Sequence, residues 1–538
     1  MVRIGNGSIL GPFNMWTRRK LGEFGTSIRM GVIQMQSIIL AVRAMRRYLL
    51  TFLVALVPLI MALLPQAAQA LPTFARQTGQ NCVACHTGGQ FPELTPYGRL
   101  FKMTGYTIGE RTMPLSVMGV ASYASVANTS KSDTADSGVS TSNSGSDFYK
   151  NGEPILATGS LFVAGKVTDN IGAFVQITHD PYAVAPNGSI SGHTVADNMD
   201  IRFADRLIDE KRDLIYGVSL NNSPSVSDPW NTAAAWMQYV PVPSPGSHQF
   251  VDGTAPYPSF GTGGNIVGLT AYAYLDKTYY GELGFYGTAD GAFRIFREGI
   301  DDSQITRLQG YNPYWRFAYT RDWGAHNLMI GTTGMLAKIL DAATDPTDSG
   351  NFSQVRNTGI DAQYQYILDP HTFTAQLAYM QQVTNYSANS LAGTSPYFQA
   401  NGTDPVAALS PSDTLNTLRL KLAYTYLAKY GGSVSLFDTS GTTSTNQQTS
   451  GYDSNGQITS QDPLGTGITS ARISGNLLGT PGISGSTLEA FYLPLQNLRL
   501  GAQYTAYSKF NGASSNYDGL GRNASDNNTL FLYAWFAF

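Results

Sequence analysis

Residues 498–509 read Leu-Arg-Leu-Gly-Ala-Gln-Tyr-Thr-Ala-Tyr-Ser-Lys, an alternation of apolar and polar side chains. Successive side chains of an extended strand point to opposite faces, so Leu500 falls on one face and Arg499 on the other. The same alternation occurs in residues 359–368 and 417–426. The pattern predicts amphipathic β-strands. Because a soluble sandwich alternates in the same way, the connections between strands must decide the fold class.

The connections after residue 114 are of two kinds. Short turns, such as 209–212 and 496–497, alternate with long polar loops, such as 125–153 and 443–483. This sorting, with an even number of strands, is typical of bacterial outer-membrane barrels. We therefore predict an all-β transmembrane barrel of about 16 antiparallel strands. The strands are expected near 115–124, 154–166, 171–179, 198–208, 213–222, 263–277, 278–289, 311–323, 325–340, 355–368, 371–386, 413–428, 431–442, 484–495, 498–510 and 528–538.

The chain ends on residues 530–538, Leu-Phe-Leu-Tyr-Ala-Trp-Phe-Ala-Phe. This last strand is expected to pair with the first strand, because a membrane barrel leaves no open edge. Both barrel termini and the short turns are then periplasmic, and the long loops face the outside. A small segment in front of the first strand enters from the periplasmic side and can sit in the lumen of so wide a barrel.

The only two cysteines stand in Asn81-Cys82-Val83-Ala84-Cys85-His86, a C-x-x-C-H motif. Two thiols at this spacing can each bond one vinyl group of a haem, and His86 can ligate its iron. A thioredoxin-like motif needs βαβ surroundings, and a zinc site needs two further ligands nearby. The sequence around the motif supplies neither. The motif therefore predicts one covalent haem c held by Cys82, Cys85 and His86.

The motif belongs to a short α-helical segment, residues 71–114, which is too small to form a core without a cofactor or a staple. A helix with an N-capping threonine is predicted over residues 96–104. Met103 lies on an apolar stripe of this helix and is the expected distal iron ligand. Met118 and Met113 are the alternative thioethers, and a five-coordinate iron is the remaining possibility.

Residues 1–70 are expected to be removed. A basic stretch at 45–47, an apolar run over 48–64 and an A-x-A site at 68–70 predict a signal peptide with Met45 as its initiator. This leader holds eight of the 34 Lys and Arg and one of the 37 Asp and Glu, which leaves 26 bases, 36 acids and a net charge of −10. Nucleic acid binding needs a basic surface, so the mature chain is not of that class.

Three stretches, 74–79, 82–86 and 92–102, resemble the fused monohaem cytochrome–porins of the outer membrane, of the Fe(II) oxidase type. Residues 221–224 and 228–232, together with Trp236, resemble a long loop of the same wider family. The resemblance implies a protein embedded in the outer-membrane lipid of a Gram-negative bacterium. It also implies that electrons pass from an extracellular donor such as Fe(II), through the covalent haem, to a periplasmic c-type cytochrome. Such a protein is an electron carrier rather than an enzyme of the usual kind.

Two other functions are compatible with the residues. A redox-plugged porin would pass small solutes, and Arg419, Lys421 and Arg499 on the predicted lumen face would be its selectivity residues. A haem-dependent enzyme such as a peroxidase needs an open iron position and a distal acid–base group. No second histidine lies near the motif to supply that group, so this function ranks last.

We predict that the mature chain begins at Leu71, because the only A-x-A site after the apolar run ends at Ala70. N-terminal sequencing of the protein from outer-membrane fractions tests this. A mature chain that retains residues 48–64 would contradict both the cleavage site and the periplasmic topology.

Overall fold

The computed structural model describes residues 72–89, 93–128, 152–181, 193–231, 266–297, 307–340, 352–387, 411–443, 450–452, 458–460, 476–519 and 521–538. All of them belong to the second of two compact units, Ala68–Phe538. The predicted leader, its initiator Met45 and the mature N-terminus Leu71 lie outside the described residues.

Sixteen long strands of the described chain form one antiparallel sheet, because apolar and polar residues alternate along each of them. They are β1 Leu115–Val126, β2 Pro154–Lys166, β3 Ile171–Asp180, β4 His193–Ile208, β5 Asp213–Asn221, β6 Ile266–Leu275, β7 Tyr279–Thr288, β8 Asn312–Trp323, β9 His326–Leu340, β10 Phe352–Leu368, β11 His371–Asn385, β12 Ser412–Tyr426, β13 Tyr430–Gly441, β14 Ile483–Leu495, β15 Leu498–Lys509 and β16 Thr529–Ala537. Each coincides with a predicted strand.

The sheet closes on itself through β1, which pairs with β2 on one side and with β16 on the other. The β1–β16 register runs from Met118 opposite Ala537 to Val126 opposite Thr529. Beyond it the backbones of Val117 and Phe538 exchange two hydrogen bonds of 2.8 Å. The fold class is therefore confirmed as a closed antiparallel barrel of sixteen strands.

The two faces of each strand differ as the alternation predicts. On β15, Leu500 and Tyr504 are exposed on the outer face, whereas Arg499 and Gln503 are buried on the inner face. The outer face of the whole barrel carries large apolar side chains, which a protein in water does not display over so wide an area. Such an exterior belongs in lipid, and it makes this an outer-membrane type of barrel.

The connections are sorted as predicted. Short turns join β2 to β3, β4 to β5 and each later pair of that kind, at the end of the barrel where β1 begins and β16 ends. The long connections lie at the other end. One of them carries a short helix directly after β5, and short strands or 3₁₀ turns occur in three others. These elements are Pro224–Ser227, Arg307–Leu308, Ser450–Tyr452, Ile458–Ser460, Gly291–Phe296 and Ala524–Asn527.

Within the described residues, three helices precede the barrel: α1 Pro72–Thr78, α2 Cys82–Cys85 and α3 Pro96–Met103. The predicted helix is α3, and it begins where its cap predicts, since Thr95 Oγ1 accepts a hydrogen bond of 3.1 Å from Gly98 N. Among the described residues, no helix has both the length and the apolar character needed to cross a bilayer.

We predict that Ile360→Lys destabilises the barrel by about 2–4 kcal/mol, the usual cost of a basic side chain at the bilayer midplane. Ile360 is 63% exposed on the outer face and is the central residue of β10. Urea unfolding in lipid vesicles measures the loss. Tyr430→Lys is the control, because Tyr430 begins β13 and a charge near the interface costs only about 0–1 kcal/mol. Equal losses in both variants would contradict the assigned membrane face.

Candidate functional site: a helical segment inside the barrel

The C-x-x-C-H motif forms one helical turn. Cys82 and Cys85 are the first and last residues of α2, and His86 N donates a hydrogen bond of 2.9 Å to Cys82 O. Residues three apart in a helix share a face, so the two sulfurs lie on one side of the turn. His86 is the C-cap and has an extended backbone, with φ −125° and ψ 131°. Both cysteines are free thiols. This donor set suits a covalent haem, with two thiols for its vinyl groups and one imidazole for its iron.

The Cys82 thiol is enclosed by the barrel wall. Its side chain is fully buried, and Sγ donates to Gln496 O at 3.2 Å, in the turn between β14 and β15. Burial raises the pKa of the Cys82 thiol to about 12 and that of the Cys85 thiol to about 11. Burial thus favours the protonated thiol over the thiolate in both cysteines.

Helix α3 crosses α2 at a glycine. A Cβ atom on Gly98 would lie 2.2 Å from Cys85 O, so this crossing excludes any larger residue. Met103 follows five residues later, which turns it about 140° around the helix axis from Gly98. Its side chain is buried among wall residues that include Tyr272 and Met329. The structure thus brings Cys82, Cys85 and His86 together and places Met103 on another side of α3.

The two alternative thioethers lie elsewhere. Met113 is 65% exposed, just before β1. Met118 is half-buried and lies on the inner face of β1 between the buried residues Ser116 and Val120. The role of Met103 as distal iron ligand stays a prediction.

Polar side chains of α3 bind the barrel wall directly. Arg99 is buried, and it donates from Nη1 to Gln365 Oε1 at 2.9 Å and from Nη2 to Asn327 Oδ1 at 2.6 Å. Arg99 Nη1 also donates to Leu94 O at 2.7 Å. Because Gln365 lies on β10 and Asn327 on β9, one side chain fixes the segment to two wall strands.

A second contact joins the segment to a loop from the opposite end of the barrel. The short helix after β5, which we call α4 (Pro224–Ser227), and the residues around it are buried inside the barrel. Lys102 Nζ donates to Asp228 O at 2.8 Å. Arg316 of β8 binds the Asp228 carboxylate at 3.2 Å and the Asp361 carboxylate at 2.6 Å. The lumen is thus occupied by the segment from one end and by this inward loop from the other.

A third polar group connects the end of the segment with β4. Tyr106 OH donates to Asp200 Oδ2 at 2.6 Å, and Arg202 Nε donates to the same oxygen at 2.7 Å. Arg202 Nη2 reaches Ser227 O at 2.6 Å, and Ser219 Oγ donates to Asp200 Oδ1 at 2.7 Å. The sequence analysis missed these residues. The sequence does contain a signal for Asp200 and Arg202, because the alternation along β4 places both charged side chains on the inner face.

The three cations predicted as selectivity residues all lie on the inner face and are buried. Lys421 forms an ion pair with Glu93 of the segment. Arg499 pairs with Glu489 of β14 at 3.1 Å and donates to Gly88 O at 3.1 Å. Two of the three therefore hold the segment rather than line open water.

The described part of the chain contains no group of three or more His, Cys, Asp or Glu side chains placed to hold a metal ion. The covalent haem, with His86 as the ligand of its iron, stays a prediction.

No protein-family model and no curated protein matches the chain. Among solved structures, the chain is similar to OmpF of Salmonella typhi in complex with daunomycin, at 12% identity and a TM-score of 0.38, over 79% of this chain and 97% of that one. It is similar to the outer-membrane channel DcaP of Acinetobacter baumannii at 12% identity and a TM-score of 0.38, over 79% and 96%. For OmpT of Vibrio cholerae the identity is 8% and the TM-score 0.34, over 79% and 96%.

We predict that Arg316→Met lowers the free energy of unfolding by about 3–5 kcal/mol, because it leaves the buried carboxylates of Asp228 and Asp361 without their cation. The freed inward loop should also raise ion conductance in planar bilayers. Arg206→Met is the control, since its pair with Asp213 is partly exposed and is worth about 0–1 kcal/mol. An Arg316 variant no less stable than the control would contradict this role.

Proposed function

We propose that this barrel carries electrons across the outer membrane through a covalent haem c bound to Cys82, Cys85 and His86. The observation that supports the proposal is the position of the motif, which lies on one helical turn, against the wall turn at Gln496, within a segment that the barrel encloses. A soluble haem domain cannot cross a membrane, and a barrel without a redox group cannot pass electrons. The segment and the barrel form one compact unit, so the proposed haem would lie within the part of the chain that crosses the membrane.

The chain's own residues bind and orient the group in this proposal. Cys82 and Cys85 would hold it covalently, and His86 would ligate its iron. When bound, the haem supplies one-electron redox chemistry, with a potential that depends on its axial ligands and its surroundings. Met103 remains the proposed second ligand because it is a thioether of the same segment, although its side chain packs in the cluster around Tyr272.

The remaining residues keep the segment in the lumen and exclude bulk water. Arg99, Lys102 and Glu93 contact the wall or the inward loop on different sides of the barrel. One electron leaves an extracellular donor, which is oxidised, and reduces a periplasmic c-type cytochrome. Fe(II) is the proposed donor because the mature chain, with a net charge of −10, attracts cations and speeds their arrival.

The barrel architecture supports a second candidate, a porin for small solutes with a redox plug. Sixteen strands enclose an interior wide enough for an aqueous channel when nothing fills it. Contacts such as Arg99–Gln365 and Lys102–Asp228 disfavour a permanently open solute path, because solutes could pass only if the segment moved away from these partners.

The proposal is tested with the protein reconstituted in liposomes, long loops outward, and a soluble c-type cytochrome trapped inside. Fe(II), or a large membrane-impermeant reductant, is added outside. We expect the trapped cytochrome to become reduced. In the Cys82→Ala and His86→Ala variants, the rate of this reduction should fall to that of liposomes without the barrel protein. Haem-stained denaturing gels should show loss of covalent haem in Cys82→Ala, while heat-modifiable mobility reports the folded barrel.

His371→Ala is the matched control, since His371 is exposed at the start of β11 and bonds to Tyr424. It should reduce the trapped cytochrome as fast as the unaltered protein. If the trapped cytochrome stays oxidised with every external donor while sugars or ions leak through the barrel, the redox-plugged porin is the better function.

A further inference from the structure

The loop that follows the motif histidine rests against a buried arginine of the wall. Arg499 of β15 is fully buried, and its Nη1 donates to Gly88 O at 3.1 Å. Its Nε donates to Tyr533 OH of β16 at 2.7 Å, and its Nη2 to Glu489 Oε1 of β14 at 3.1 Å. The guanidinium lies 3.5 Å from the ring centroid of Phe491. The guanidinium of Arg499 is therefore held in one orientation by its three hydrogen bonds and the ring of Phe491.

The loop contacts the same wall through its backbone shape. Gly88 and Gly89 have φ of +77° and +86°, which an L side chain rarely adopts. A Cβ atom on Gly89 would lie 2.3 Å from Leu493 Cδ2. A Cβ atom on Gly88 would lie 3.3 Å from Thr425 Oγ1. Gly88 and Gly89 thus pack against β12 and β14, and the absence of a side chain at Gly89 permits the contact with Leu493.

A second wall cation holds the far end of the loop. Glu93 forms an ion pair with Lys421 of β12. Thr87 N donates to Glu93 O at 2.9 Å, and His86 forms a β-bridge with Leu94. The two ends of the loop are therefore bonded to each other, and each end is bonded to the wall.

We propose that Arg499, together with Lys421, positions His86 by docking residues 87–89 and Glu93, which we call the loop, on the barrel wall. We call the wall side chains of Arg499, Glu489, Tyr533, Phe491 and Leu493 the docking socket. The inference rests on the proposed function, since it concerns the presentation of the axial histidine. The socket spans β14, β15 and β16, so it includes the strand that closes the barrel.

A purely structural role for Arg499 would be to neutralise Glu489 in the lumen. A variant on the segment side distinguishes docking of the loop from neutralisation of Glu489, because it disturbs the contact between loop and wall without changing any charge of the wall. Gly89→Ala introduces the Cβ that meets Leu493. Gly79→Ala is the matched control, because Gly79 also has a positive φ of +66° but nothing lies within 4 Å of the added Cβ.

The wall side is perturbed by the double variant Glu489→Gln with Arg499→Gln, which removes both charges and leaves no unpaired buried ion. Its control is Arg522→Gln, since Arg522 is equally buried but lies in the long connection at the other end of the barrel. Heat-modifiable mobility verifies that every variant is folded.

The experiment uses the whole protein purified in detergent, and three measurements are made. Haem staining reports covalent attachment, the Soret circular dichroism and midpoint potential report the histidine environment, and limited proteolysis reports whether the loop is docked. We expect Gly89→Ala and the double variant to retain haem and to shift both the Soret circular dichroism and the midpoint potential. We expect cleavage of their segment to be about tenfold faster, because undocking loses the charge-assisted hydrogen bond from Arg499 to Gly88 O. Both controls should match the unaltered protein.

The inference is overturned if Gly89→Ala matches Gly79→Ala in spectrum, potential and cleavage. It is also overturned if the spectrum changes while cleavage does not, because docking is then not the cause. An unaltered protein without haem stain would instead refute the proposed function, and the cleavage rates would still decide whether the socket docks the loop.

Discussion

A chain in the hydrocarbon core of a membrane finds no water for its backbone N–H and C=O groups, and the rest of this structure depends on that constraint. The sheet must close, and it does so where β1 pairs with β16. Closure with alternating side chains directs apolar groups to lipid and polar groups to the lumen. Sixteen strands enclose a wide interior, and the polar groups inside it need partners. The segment and the inward loop supply them.

Three buried arginines of the wall each bind a carboxylate and also a group of the helical segment or the inward loop. Arg202 binds Asp200 of its own strand and a backbone carbonyl of the inward loop. Arg316 binds a carboxylate of the wall and one of the inward loop. Arg499 binds a wall carboxylate and a carbonyl of the segment. The planar, forked guanidinium is suited to this task because it can bond two acceptors in fixed directions.

The sequence was sufficient for the barrel because its signals are local. A period of two places Arg499 inside and Leu500 outside, and the alternation of turn and loop lengths orders the strands. The predicted α3 follows from Thr95 and Pro96, which are neighbours in sequence. The motif residues Cys82 and Cys85 share a helix face for the same reason, and the haem that they would bind stays a prediction.

The contacts between distant segments were beyond a single sequence. Nothing in the sequence near Asp228 indicates that its polar loop folds inward, because long polar connections between strands are expected to face outward. Its partner Arg316 lies on another strand, and only the closed barrel brings them within 3.2 Å. Likewise, the apolar stripe with Met103 predicts burial but does not name the surface that covers it. In the structure that surface is the wall at Tyr272.

The enclosure of Cys82 constrains the order of biogenesis. In the docked segment its sulfur has no exposed surface and faces Gln496 O across 3.2 Å. If Cys82 binds the proposed haem, the thioether bond must therefore form before the segment docks. Haem attachment would then precede closure of the barrel around the segment. A chain whose segment docked first would keep an unmodified thiol at Cys82.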